Sequence, residues 1–364
     1  MSKNRVALIH LGRSGAGPLF LVEMQKSLQG IGVSSMVISN PHISLNYPDL
    51  HIDFPFSTYD SERTLLMNFP KAVIRAIRLR AKLKQASISY VISPMESIYQ
   101  SLLIPLWLPR NIKYISLIHD GELHPGRFNW LFNIMRKLEY RSADLIVVLS
   151  EASRLEVRKA TKRKVFLASL PYLDFGEPHA APSSLQRSRL SMLFFGRLES
   201  YKGLRELLVA FRGLDIGDGV GIDLTIAGSG PEVKLKEEFF DPYITWLDDW
   251  ISDEDIPSLF SSTDLVILPY IQASQSGVIA IAHRYGVPVA ITPVGGLKEQ
   301  MDPEFDIEIE SATVEGIGDF LASLSSGEIV LKRGVGVSND EVAESWRRVV
   351  SGPLTELGFF DEKI

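Results

Sequence analysis

Short apolar runs recur along this chain, each followed by a segment with helical spacing. They fall at 5–10 (RVALIH), 33–39 (VSSMVIS), 89–94 (SYVISP), 114–120 (YISLIHD), 145–150 (LIVVLS) and 165–171 (VFLASLP). After an interruption they resume at 191–196 (SMLFFG), 222–228, 244–247, 265–270 and 287–292. Runs this short, alternating with amphipathic segments, specify a parallel β-sheet covered by helices on both faces. At 364 residues the chain is long enough for two such α/β domains. Between Pro171 and Leu190 the composition turns to Pro, Ser, Ala and Gly, which reads as a linker. The expected division is residues 1–172, a linker at 173–190, residues 191–338, and a C-terminal helix within 339–364. That helix carries an apolar stripe (Val342, Trp346, Val349, Val350) and is expected to pack back towards the first domain.

Charge separates the halves. Residues 1–170 hold 23 Lys and Arg against 12 Asp and Glu, a net +11; residues 171–364 hold 15 against 32, a net −17. The chain has no cysteine, which excludes disulfides, thiolate metal sites and a cysteine nucleophile, and fits the cytosol. The first apolar run is too short for a signal peptide, and no run approaches the roughly 18 apolar residues of a spanning helix. Within a helix expected over Thr64–Gln85, residues 71–84 carry Lys71, Arg75, Arg78, Arg80, Lys82 and Lys84 with no acid. Such a helix fits an anionic membrane surface, and fits equally a solvated helix whose apolar residues (Val73, Ile74, Ile77, Leu79, Leu83) pack on the sheet. Nucleic acid is not indicated, because no aromatic residues interleave with the cations.

The most informative stretch is 193–203, LFFGRLESYKG. An apolar strand ends at Gly196, Arg197 and Lys202 follow, and Leu204, Leu207, Leu208 and Phe211 then mark an amphipathic helix. In an open α/β sheet, ligands bind at such strand-to-helix turns. A helix N-terminus favours an anion, and a guanidinium with an ammonium would clamp a diphosphate. A solvated surface turn is the competing reading. The turn at 12–18 (GRSGAGP) offers Gly15 and Gly17 for close backbone approach of a ligand; its spacing is not that of a dinucleotide fingerprint, and a plain tight turn remains open.

Taken in order, 12-GRSGAG-17, 118-IHDGELHPG-126, 196-GRLESYKG-203, 225-TIAGSGPE-232, 246–270 and 286-GVPVAITPVGGLKE-299 resemble family 4 of the retaining glycosyltransferases, of the bacterial polysaccharide-assembly type. The resemblance spans most of residues 5–300. It implies the GT-B fold: two Rossmann-like parallel-sheet domains facing across a cleft. It implies a hexosyltransferase that moves a sugar from a UDP- or GDP-sugar to an acceptor hydroxyl, with no metal and no cofactor beyond the donor. Arg197 and Lys202 would bind the donor diphosphate. Gly15, Gly17, Gly196, Gly228 and Gly230 would line the donor site, and the base would lie along Trp246–Asp249, at Leu247. His119, with Asp120 beside it, would lie near the donor sugar. The favoured acceptor is a lipid-linked glycan held by the basic first domain, at the inner face of the plasma membrane.

The chain departs from this pattern at one place. The family's Glu-x7-Glu pair falls on Ala273 and Ile281, counting back from Gly286-Val287-Pro288. Ser274, Gln275, Ser276 and Gly277 stand there as replacement donors at a helix start. The alternatives are a binding-only partner subunit, motivated by the missing acids, and a sugar-nucleotide epimerase of the same fold, which would need cleft carboxylates not seen at the expected positions.

Overall fold

The structure, a computed structural model, describes residues 5–13, 15–59, 62–119, 129–177, 189–215 and 219–360. The chain forms two compact units, Met1–Ser169 with Ala343–Ile364, and Leu170–Val342.

The first unit is built on seven parallel strands: β1 (Val6–His10), β2 (Ser35–Ser39), β3 (Phe54–Pro55), β4 (Tyr90–Ser93), β5 (Lys113–Ile118), β6 (Leu145–Val148) and β7 (Lys164–Leu167). Their order is β3-β2-β1-β4-β5-β6-β7. Between them run α1 (Ala16–Gly30), α2 (Glu62–Gln85), α3 (Ile98–Leu102), α4 (Ile104–Trp107), α5 (Asn129–Ser142) and α6 (Glu151–Ala160). β1, β4 and β6 are buried at every position, as continuous apolar runs require of strands covered on both faces. Ala72, Ala76, Leu79 and Leu83 of α2 join Trp107, Tyr114 and Ile146 in one core.

The second unit repeats the plan with six parallel strands: β8 (Arg189–Phe195), β9 (Gly221–Ala227), β10 (Ile244–Leu247), β11 (Leu265–Leu268), β12 (Val289–Ile291) and β13 (Ile307–Glu308). Their order is β10-β9-β8-β11-β12-β13. The helices are α7 (Leu204–Arg212), α8 (Leu235–Glu238), α9 (Ile256–Ser261), α10 (Gly277–Arg284), α11 (Leu297–Gln300) and α12 (Val314–Ser326). The last helix, α13 (Asn339–Glu356), begins in this unit and puts Trp346 edge-on to Phe20 of α1, within the first unit.

Between β2 and α2 the chain holds a 3-10 turn at Pro41–Leu45 and the edge strand β3, which the Asp53 carboxylate anchors by accepting from Val37 N–H at 2.8 Å. α3 and α4 are separate because the chain leaves helical geometry at Leu103 and restarts with Pro105 near the new N-terminus. β8 also begins at Arg189, inside the expected linker, whose residues 178–188 lie outside the described ones.

Candidate active site

Each sheet reverses its strand order once, beside β1 in the first and beside β8 in the second. The two flanking strands then lead to helices on opposite faces, which opens a crevice at their carboxyl ends. In the first unit that point lies beyond β1 and β4. In the second it lies beyond β8 and β11. Most of the described residues singled out from sequence lie on the turns that follow these strands and their neighbours.

In the second unit the turn after β8 is zipped to the turn after β9. Gly196 N–H donates to the Ala227 carbonyl, Leu198 N–H to Ser229, and Glu232 N–H to Leu198, all at 2.9–3.0 Å. The turns lie so close that a methyl on Gly228 would overlap the Gly196 carbonyl, and Gly228 holds φ +139°. Only glycine meets both demands. The same zipper ties Gly228 N–H to the Leu247 carbonyl at 2.9 Å, so the end of β10 joins the array while the Leu247 side chain stays exposed. Gly230 is packed likewise against Leu198.

Lys202 closes a 3-10 turn at Ser200–Lys202 and is only 8% exposed. Its ammonium lies 5.0 Å from the centre of the Tyr270 ring. Among the described residues no carboxylate is within ion-pair distance of it. A lysine buried without a counter-ion is costly, and a cation–π contact offsets only a part of that. An anion entering here would supply the missing charge. Arg197, five residues earlier, is exposed and likewise has no acid among the described residues. A Cβ built on Gly196 would sit 3.0 Å from Lys202 Nζ and 3.7 Å from Val278 Cγ2, so the ammonium and the start of α10 converge on one point. Ser276 caps α10, its hydroxyl accepting from Val278 N–H at 3.3 Å. Gln300 grips the same residue from α11: Ser276 N–H donates to its amide oxygen at 2.7 Å, and its NH2 donates to the Ser276 carbonyl at 3.0 Å. Ser274 and Gln275 stay partly exposed ahead of this cap, and Gly277 opens the helix. Ile281 is buried at 5% exposure, so the second position of the expected acidic pair holds an apolar side chain with no hydrogen-bonding group to offer a ligand.

In the first unit the turn after β1 rests on a histidine. His10 is fully buried at the end of the strand, and its Nδ1 lies 3.4 Å from the Met95 carbonyl. A carbonyl only accepts, so Nδ1 carries the proton and Nε2 is the bare lone pair; among the described residues no partner reaches it. Burial pushes this imidazole down to about 4, His119 adding to the effect and the Met95 carbonyl opposing it. The neutral ring lies under the turn: a methyl on Gly12 would come within 2.6 Å of Nε2, and one on Gly17 would overlap the ring. Gly15, at φ +81°, starts α1 beyond it. His119, half-buried at the end of β5, donates Nε2–H to the Pro94 carbonyl at 2.9 Å. Its ring stands edge-on to Phe20 at 4.5 Å, and Phe20 stands edge-on to Trp346 at 4.7 Å. Asp120 lies outside the described residues.

Three contributors escaped the sequence reading. His10 looks like one more residue of a buried strand; its adjacency to the glycine turn was the available signal. Tyr270 and Gln300 come from distant segments, and nothing local marks them.

Comparison with known proteins bears on what this arrangement is. Residues 189–324 match the family model for glycosyl transferases, group 1. No curated protein sequence matches the chain. In fold, the whole chain is similar to sucrose-phosphate synthase from Thermosynechococcus elongatus (16% identity, 98% of this chain and 99% of that one, TM-score 0.71). It is similar to HepE of Anabaena, solved with UDP-glucose (14% identity, 97% and 94%, TM-score 0.67). It is also similar to UDP-N-acetylglucosamine 2-epimerase (15% identity, 100% and 99%, TM-score 0.61). These likenesses show the fold: two parallel-sheet α/β units of the GT-B kind.

Proposed function

We propose that this protein is a retaining glycosyltransferase that takes its sugar from a nucleoside diphosphate sugar. The observation that carries the proposal is Lys202, a buried ammonium with no acid beside it, at the strand-order reversal of a unit matching the group 1 glycosyl transferases. Lys202, Arg197 and the N–H groups at the start of α10 would hold the donor diphosphate. In the transfer, the bond between sugar C1 and the diphosphate oxygen breaks. A bond from the acceptor oxygen to C1 forms on the same face, and the acceptor proton passes to the leaving diphosphate. Negative charge grows on that leaving oxygen, so cations already in place stabilise the transition state more than the ground state. No metal enters this scheme. His119, whose Nε2–H is committed to Pro94, would shape the sugar pocket and not act as a base through that nitrogen. The nucleotide is UDP or GDP, and the acceptor a lipid-linked glycan of a surface polysaccharide, on the cytoplasmic side.

Thermal-shift measurements with UDP, GDP and ADP, on the wild type and on Arg197→Ala, test the donor site. The expected result is a shift with one diphosphate that shrinks in the variant, since stabilisation follows ligand concentration over dissociation constant. No shift with any nucleotide overturns the proposal. A shift without subsequent transfer from the matching nucleotide-sugars would favour the binding-only reading, which the missing acids at Ala273 and Ile281 motivate.

A further inference from the structure

We propose that the outward face of α2 docks on an anionic lipid surface. The helix has two apolar faces, and the sheet uses only one. Ala72, Ala76, Leu79 and Leu83 are buried in the core of the first unit. A second stripe, Met67, Pro70, Ile74, Ile77 and Ala81, advances by three and four residues alternately and therefore runs straight along the helix. It points to solvent: Met67 is 74% exposed, Ile74 52% and Ile77 55%, with Leu66 at 81% beside its start.

One residue further round lies a row of cations, Lys71, Arg78 and Lys82, and Lys84 ends the apolar stripe; all four are exposed. Among the described residues none of the four has an ion-pair partner. Two further cations of the helix are occupied: Arg75 donates to the Ser57 carbonyl at 2.9 Å and Arg80 to the carbonyl of Leu108. From Arg63 to Gln85 there is no acid.

A narrow exposed apolar stripe flanked by charge of one sign fits the boundary between headgroups and acyl chains. The apolar side chains enter, and the long cationic ones reach to phosphates while their stems lie along the apolar surface. A second copy of this chain fits poorly, because pairing the same faces would set like charges against each other. No helix among the described residues is long and apolar enough to cross a membrane, so this face would hold the protein at a surface without insertion of a span.

The test is co-sedimentation with phosphatidylcholine vesicles containing about one third phosphatidylglycerol, against pure phosphatidylcholine. Binding is expected only to the anionic vesicles, and is expected to fall in about 0.5 M salt, where exposed charges are screened. Ile74→Ser with Ile77→Ser, and separately Lys71→Gln with Arg78→Gln and Lys82→Gln, should each weaken it by about tenfold or more. Every substituted side chain is at least partly free of the core, and an unchanged melting temperature confirms that the variants fold. Absence of binding, equal binding to both vesicle types, or binding unaltered in both variants would overturn the proposal. So would a concentration-dependent dimer abolished by the isoleucine changes without vesicle binding. The inference stands apart from the nucleotide reading, because a thermal shift with nucleoside diphosphate reports on the second unit and neither variant touches it.

Discussion

The two switch-point sites differ in chemistry, and neither follows the net charge of the half of the chain that holds it. The acidic half, at −17, carries a site of donors: an exposed guanidinium, a buried ammonium and a helix N-terminus. The basic half, at +11, carries a turn that rests on a neutral ring: one histidine is kept uncharged by burial, two ring N–H groups are spent on the carbonyls of Met95 and Pro94, and Arg13 of the turn donates to the Tyr59 carbonyl at 3.2 Å. Net charge of a segment therefore says what surface it shows, and nothing about what its crevice binds.

The largest effect should come from removing the buried ammonium. Lys202→Met keeps the length and the packing against Tyr270 while deleting the charge. Transfer activity should fall by about a hundred- to a thousandfold, the scale seen when one preorganised transition-state donor is removed. The unliganded protein should melt at the same temperature or higher, because an uncompensated buried charge has gone. Steady-state kinetics and calorimetry check the two halves of this expectation. Activity retained within a fewfold would break the contrast between a cationic and a neutral site.

The next effect sharpens the neutral side and is read against pH. His10 in the folded state sits near 4, below the ordinary value of 6.5, so the unfolded chain binds more protons between these limits, and its contribution to stability rises with pH across that window. Glu139 does the reverse. It is fully buried in α5 and accepts from Ser101 at 2.6 Å, Tyr114 at 2.8 Å and Ser116 at 2.9 Å. Burial raises it to about 7, with Glu96 adding and the three hydroxyls opposing. The folded state then binds the extra proton between 4.5 and 7, so stability falls as pH rises across that interval. Both groups lie in the first unit, and between about pH 4.5 and 6.5 their slopes oppose. Relative to the wild type, Glu139→Gln should expose the rising slope and His10→Asn the falling one, each by up to about 3 kcal/mol over its window. Urea melts at half-unit pH steps measure this; parallel curves for the three proteins would refute it.

How much of this was legible in the sequence depended on the range of the signal. The parallel α/β class was legible because β1, β4 and β6 are buried on both faces and so are written as unbroken apolar runs. β3 and β13 were not, since two residues at a sheet edge carry no pattern. The turns holding Gly196–Lys202 and Gly12–Gly17 could be found locally, because each follows its strand directly. That Tyr270 lies beneath Lys202, and that Gln300 holds the cap of α10, depends on β11 pairing with β8 and on α11 packing near α10. α2 shows the same limit from the other side. Its sequence lists one set of apolar residues, and only the fold divides them into a buried face and an exposed one.

The smallest effect separates the two glycine turns by what each glycine would strike. Gly17 faces a side chain, the His10 ring, whereas Gly228 faces backbone, the Gly196 carbonyl, and holds φ +139° besides. Gly17→Ala should cost about 2 kcal/mol through overpacking, and much of that should return in the double variant with His10→Ala, because the obstruction is removable. Gly228→Ala should cost at least as much, and no side-chain deletion can recover it, since neither the carbonyl nor the left-handed backbone can be mutated away. A double-mutant cycle by urea denaturation decides the matter. If Gly17→Ala and His10→Ala are simply additive, the histidine does not support the turn, and the two sites differ less in construction than their contacts indicate.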